Sequence, residues 1–243
     1  MGAGLGILSD IVAAERRRLG AEPEGPGPFE RALRGAALPV IAEFKRASPS
    51  LGPFAADADP AERLGAYVRG GAACFSVLAE PARFGGRPGD FEVARRFGRP
   101  ILYKGFVCTP GHLREALVLG AQAVLLIARV LGDELPAYAF AARALGLEPL
   151  AEIHAADEIP AVQASGARLV GWNVRDLSDF SEGPADPGPL RAAFPEAVLI
   201  RESGLKDAAA IRAALASGWD AVLAGEALMR APDPAALLAE ARP

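Results

Sequence analysis

Eight short apolar runs recur along the chain: residues 39–44, 73–78, 100–104, 123–127, 148–153, 168–173, 197–202 and 220–225. Each is too brief for a helix and rich in Val, Ile, Leu and Phe. Their nearly continuous apolarity, without a clean polar alternation, predicts strands covered on both faces, as in a parallel sheet. Helical segments separate them. Asp59-Pro60 followed by Glu62 sets a capping carboxylate before a first-turn proline, and Thr109-Pro110 and Asp233-Pro234 repeat the arrangement. Gly70-Gly71 and Gly120 stand where helices should stop. Strand starts fall roughly 20 to 35 residues apart, one strand and helix per unit, and eight such units close a (β/α)8 barrel. A doubly wound open sheet is the competing architecture, but no G-x-G-x-x-G follows the first strand. The expected organisation is one domain over 1–243, with 1–38 as a helical N-terminal extension and linker. That extension holds an amphipathic stretch from Ile7 to Arg18 and a Pro/Gly-rich link at 23–28. It suits either a cover for the barrel mouth or a plug for its base.

Composition sharpens the picture. The chain has 243 residues, 51% apolar and 23% charged, which excludes disorder and predicts a globular core. A net charge of −4 provides no basic stripe for phosphodiester backbones, so nucleic acid is not an expected partner. No run reaches the roughly 18 apolar residues needed to span a bilayer, and no secretory leader pattern or myristoylation motif is present. The expected location is cytoplasmic, away from membranes. Cys74 and Cys108 are too few and too isolated for a disulfide framework or a cysteine metal site. Of 26 basic residues 23 are Arg; the lysines are Lys45, Lys104 and Lys206, the one asparagine is Asn173, and the one threonine is Thr109. Against such a bias, a retained ammonium or carboxamide marks a place to look for chemistry.

In a (β/α)8 barrel the C-terminal strand ends share one mouth. There the runs place Glu43 and Lys45, Lys104, Glu152, Asn173 with Arg175, and Glu202 with Ser203. Lysine, unlike arginine, gives up its proton within reach of neutral pH when desolvated, so Lys45 and Lys104 are candidate acids or anion contacts. Glu43, Glu152 and Glu202 are candidate bases or lysine partners. The bland alternative is a satisfied ion network at the rim. Ser203-Gly204 after the seventh run, and Gly225-Glu226 opening a short helical segment at 227–230, suit a phosphate cradle, with Ser48 adding a hydroxyl. Phe84 is the aromatic best placed to meet a substrate, while Phe106 and Trp172 suit packing. His112 reads as a surface residue. His154 approaches the mouth but has no second histidine, so no metal is implied. Ser203 lacks a histidine partner for a hydrolase triad.

Together, Ile41 to Ser50 (IAEFKRASPS), Leu102 to Phe106 (LYKGF), Glu152-Ile153-His154, Gly171 to Leu177 (GWNVRDL) and Glu202-Ser203-Gly204 resemble the indole-3-glycerol-phosphate synthase family, in order and spacing, over essentially the whole chain. Two positions depart from the family pattern. Gly105 stands where an acidic residue is common, and Ala155 stands where the family has Asp. The resemblance implies closure of 1-(2-carboxyphenylamino)-1-deoxyribulose 5-phosphate to an indole with loss of carbon dioxide and water, without a cofactor. It implies Lys104 as the acid for closure, Lys45 as carboxylate contact and dehydration acid, Glu152 as the main base and Glu43 as the group orienting Lys45. Asn173 and Glu202 would hold hydroxyls and the intermediate, and Arg175 the carboxylate or amine side. Ser48, Ser203, Gly204, Gly225 and the Glu226 amide match phosphate contacts, and Phe84 and Phe106 the aromatic ring. The expected partner is this small molecule alone, with the chain a monomer or a homodimer. Two alternatives are a non-catalytic phosphosugar-binding barrel and a phosphoribosylanthranilate isomerase. The latter wants a Cys and Asp pair that Cys108, past a strand, does not supply.

Overall fold

A computed structural model describes residues 25–49, 52–175 and 186–242. Eight parallel strands form a closed barrel: β1 (Val40–Phe44), β2 (Cys74–Leu78), β3 (Ile101–Lys104), β4 (Ala123–Ile127), β5 (Glu148–Ile153), β6 (Leu169–Asn173), β7 (Val198–Glu202) and β8 (Ala221–Ala224). Strand β1 pairs with both β2 and β8, which closes the ring. Every barrel strand lies within one residue of its expected run, and helices lie between successive barrel strands, so the (β/α)8 expectation holds.

The runs look continuous because both faces are buried, yet an alternation is hidden inside them. Ile41, Leu102, Leu125, Leu150, Leu169 and Ile200 belong to one buried cluster that fills the barrel. Their strand neighbours Val40, Ala42, Tyr103, Val124, Ala151 and Leu199 belong to another, packed under the helices. This period-2 parity decides what reaches the mouth. Continuing the inward series upward gives Glu43, Lys45, Lys104, Glu152, Asn173, Glu202 and Gly225, all of which face one cavity.

Helix starts follow the expected chemistry with one correction. Asp59 and Asp233 accept hydrogen bonds from the first backbone amides of helices Pro60–Gly70 and Pro234–Glu240. Thr109 occupies the cap position of helix Pro110–Val118, but its side chain makes no capping bond. The nearby interaction is a different one, in which the imidazole Nδ1 of His112 accepts the Cys108 amide at 3.2 Å.

The amphipathic stretch from Ile7 to Arg18 lies outside the described residues. The segment that follows it closes the base of the barrel. In helix Pro28–Arg34, Phe29 and Leu33 join the cluster that fills the interior. Its first amides are received by a side chain far away in sequence: Phe29 N–H and Glu30 N–H donate to the Glu148 carboxylate at 2.6 and 2.9 Å. An anion at a helix start is favourable, and here it comes from the first residue of β5. Buried Glu30 is gripped by Arg168 through two 2.8 Å bonds and by Arg34 at 2.8 Å. Burial pushes its pKa up, and the two guanidinium groups outweigh that and hold it below the usual value. With the folded value the lower one, this network stabilises the fold at neutral pH and is lost as acid protonates Glu30.

Candidate active site

A cavity of about 820 Å3 sits on the C-terminal ends of the strands. It is lined by every residue that the sequence nominated: Glu43, Lys45, Ser48, Phe84, Lys104, Phe106, Glu152, Asn173, Arg175, Glu202, Ser203, Gly204, Gly225 and Glu226. Lys206 and Arg230, to which no role was attached, line it as well. Trp172 packs against the outer core, as expected of a structural aromatic.

The charges form two couples. On one side Lys45 Nζ lies 2.7 Å from Glu43 Oε1, and the buried Ser76 hydroxyl donates to Glu43 Oε2 at 3.5 Å. On the other, Lys104 Nζ lies 3.3 Å from Glu152 Oε2 and 3.5 Å from Glu202 Oε2. Burial alone would lower the pKa of Lys104, but Glu152, Glu202 and Glu43 together raise it above the ordinary lysine value. The group is therefore an ammonium in the resting site. Burial pushes Glu152 up, and Lys104, with help from Glu202 and His154, brings it below the usual carboxylate range. Glu202 goes the other way. Burial first, and then the charge of Glu152, raise it well above that range, more than Lys104 can offset. Adjacent carboxylates whose pKa values are driven apart in this way suit acid–base chemistry. Glu43 stays below the usual range because Lys45 and Lys104 overcome its burial.

Room for these carboxylates is made by glycine. A Cβ at Gly225 would stand 2.3 Å from Glu43 Oε1, and one at Gly171 would stand 2.2 Å from Glu202 Oε1. Both glycines continue the inward parity of their strands, so the glutamates occupy space that a side chain would otherwise take. The sequence pattern marks Gly225 as a phosphate contact and leaves Gly171 unmarked. A glycine two positions before Asn173, on an inward position, was the available signal. Gly171→Ala should displace Glu202 and cut turnover by roughly tenfold to a hundredfold with little loss of melting temperature, measured by steady-state kinetics beside thermal unfolding.

Ser203 and Gly204 turn the chain off β7 with φ of +69° and +70°, and Ser203 is the one non-glycine residue with positive φ among the described residues. A serine held there costs about 1 kcal/mol, and such strain concentrates at functional positions. Its hydroxyl donates to Asn173 Oδ1 at 2.7 Å, and Arg175 N–H donates to the same oxygen at 3.2 Å. Two donors on Oδ1 fix the carboxamide orientation and leave the Nδ2 hydrogens as its donors. Phe84 and Phe106 form the apolar side of the cavity, their rings 6.2 Å apart and tilted by 40°. At Gly105 a Cβ would press to 2.7 Å from the Tyr103 ring, so this chain could not carry an acidic residue there without moving Tyr103, whose hydroxyl is bonded to Glu115. No cluster of three or more potential metal ligands occurs among the described residues. No helix among them is long and apolar enough to cross a membrane.

A (β/α)8 barrel with coupled lysine and glutamate residues buried at its mouth has the architecture of an enzyme. A family model described as indole-3-glycerol phosphate synthase matches residues 16–240. Among relatives of that name, the protein from Micrococcus luteus is 41% identical over 229 residues, covering 91% of this chain and 85% of its own. That from Opitutus terrae is 39% identical over 246 residues, covering 97% and 92%. "Indole-3-glycerol phosphate synthase 2" of Streptomyces coelicolor is 42% identical over 247 residues, covering 94% and 96%. The chain belongs to the indole-3-glycerol phosphate synthase family. Among solved structures, a 3-hexulose-6-phosphate synthase superposes with a TM-score of 0.62 at 19% identity, over 84% of this chain and 97% of the other. A thiamine phosphate pyrophosphorylase from Pyrococcus furiosus gives 0.60 at 17%, over 86% and 96%. These two speak for the barrel alone.

Proposed function

We propose that the two lysine–glutamate couples share out the proton transfers of the family reaction, in which 1-(2-carboxyphenylamino)-1-deoxyribulose 5-phosphate becomes indole-3-glycerol phosphate, carbon dioxide and water. The ring carbon bearing the carboxylate attacks the ketone carbon, and the Lys104 ammonium protonates the oxygen that becomes a hydroxyl. Carbon dioxide leaves and its bonding pair restores the aromatic ring. The hydroxyl then departs as water, protonated by Lys45, while Glu152 takes the proton from the neighbouring carbon that carries the nitrogen, which creates the indole double bond. Glu43 orients Lys45, and Asn173 and Glu202 hold the sugar hydroxyls. Arg175 meets the substrate carboxylate, and Phe84 and Phe106 flank its aromatic ring. Ser48, Ser203, Gly204, Gly225 and the Glu226 amide receive the phosphate.

The observation that carries this reading is the placement of Lys104 between Glu152 and Glu202 at 3.3 and 3.5 Å on the cavity wall. An ammonium beside one carboxylate held below the usual range and another raised above it suits a sequence of protonation and dehydration. A non-catalytic barrel has no use for three buried glutamates held by two lysines, because isolated structural ion pairs recover little of their desolvation cost. The unpaired thiols of Cys74 and Cys108 suit a reducing compartment, and we place the protein in the cytoplasm. Purified protein given the carboxyphenylamino-deoxyribulose phosphate should produce indole fluorescence at a steady rate with no added cofactor. Tight binding of that compound without fluorescence growth would instead mark a binding protein.

A further inference from the structure

His154 stands two residues beyond Glu152, at the end of β5, with a side chain only 1% exposed. It is not among the residues that line the cavity. Its Nε2 lies 3.3 Å from Glu152 Oε1, while neither ring nitrogen makes a well-formed hydrogen bond. A buried imidazole left in this condition is rare in native proteins and calls for a reason. The backbone pins it in place: His154 N–H donates to Glu158 Oε2 at 2.8 Å, and Glu158 in turn is paired with Arg129 at 2.9 Å. The two oxygens of Glu152 therefore face different neighbours, Oε1 the imidazole and Oε2 the Lys104 ammonium.

We propose that His154 is a positioning residue for Glu152, its Nε2–H aimed at Oε1 so that Oε2 remains turned to the cavity as the proton acceptor. The inference rests on the reading of Glu152 as the base. Burial lowers the pKa of His154 and Arg129 and Lys104 add to the effect, against the opposing pull of Glu152 and Glu158, so the ring is neutral and has a single N–H to give. Facing Glu152 from the other side are Lys104 on β3 and Glu202 on β7. A donor on Oε1 favours the carboxylate over the carboxyl, and its loss makes Glu152 easier to protonate. The unpaired geometry in the resting site fits catalytic hydrogen bonds that tighten only when substrate is bound.

The test compares His154→Phe, which keeps ring volume without a donor, with His154→Gln, whose amide reaches toward the position of Nε2. In His154→Phe the acid limb of kcat should move up by about one pH unit and kcat near that limb should fall about tenfold, with KM nearly unchanged. His154→Gln should recover most of both. An unshifted limb in His154→Phe, or equal impairment in the two variants, overturns the proposal. Nitrogen NMR of the imidazole in the unsubstituted enzyme gives a readout independent of variant folding: an Nε2–H tautomer supports it and an Nδ1–H tautomer overturns it. Glu152→Gln run in parallel separates the premise, since turnover surviving that change removes the reading of Glu152 as base and leaves the hydrogen bond itself to the NMR result.

Discussion

Replacing Lys104 by alanine should lower kcat for the indole product by about a thousandfold, with the circular-dichroism spectrum unchanged. The size follows from how much converges on one nitrogen. The ammonium lies 3.3 and 3.5 Å from Glu152 and Glu202, and it supplies the proton for ring closure in the proposed sequence. Without it, Glu152 loses the largest influence keeping it ionised against burial, so acid and base fail together. Arginine should not rescue the loss, because guanidinium keeps its proton at any accessible pH and its planar fork needs different space. Retention of more than about a tenth of the activity in Lys104→Ala would defeat the assignment. The sign of the pH effect is also fixed. The folded pKa of Lys104 lies above the ordinary lysine value, so the ammonium persists through neutral and mildly alkaline solution, and an alkaline fall of activity in that range belongs to another group.

The second large effect concerns stability. Arg46 and Asp90 form a buried two-point pair at 2.5 and 2.8 Å, with both side chains about 5% exposed. The guanidinium also lies over the Phe44 ring at 4.8 Å and donates to the Gly85 carbonyl at 3.3 Å. Arg46→Ala leaves the Asp90 carboxylate buried without its partner, which costs about 3–5 kcal/mol. For a chain of this length that is a fall in melting temperature of about 10 °C, read by calorimetry. The Arg46→Ala/Asp90→Ala double variant should lose less than the two single variants summed, because the stranded charge is gone. Additive losses would show the pair to be energetically idle. Since the lost guanidinium also holds the Gly85 carbonyl, next in the chain to Phe84, the single variant should in addition raise KM through a loosened Phe84 wall.

Much of this architecture is legible in the amino-acid sequence. The strands are legible because burial on both faces demands apolar runs, and their number and spacing admit few closures. The mouth is legible because inward positions past the apolar layer can hold charge only if they face a cavity, and Glu43, Lys104, Glu152 and Glu202 all do. What escaped depends on pairing across long stretches of chain. That Glu148 would cap helix Pro28–Arg34, more than a hundred residues earlier, follows from the register of β5 and not from any local pattern. Gly171 reads as an ordinary weak strand residue until Glu202 arrives beside it from the next strand. The buried pair of Arg46 with Asp90, in a chain crowded with arginine, has no composition signal at all. Thr109 shows the opposite failure, a local rule satisfied in position while the hydroxyl goes unused.

The closed base sets the traffic of the reaction. Phe29 and Leu33 seal the end of the barrel opposite the cavity, and Ile41, Leu102, Leu150 and Ile200 fill the shaft above them. Among the described residues the shaft is occupied by buried apolar side chains. Substrate and products of the family reaction would then exchange on the side of the cavity at the C-terminal strand ends, opposite the apolar base.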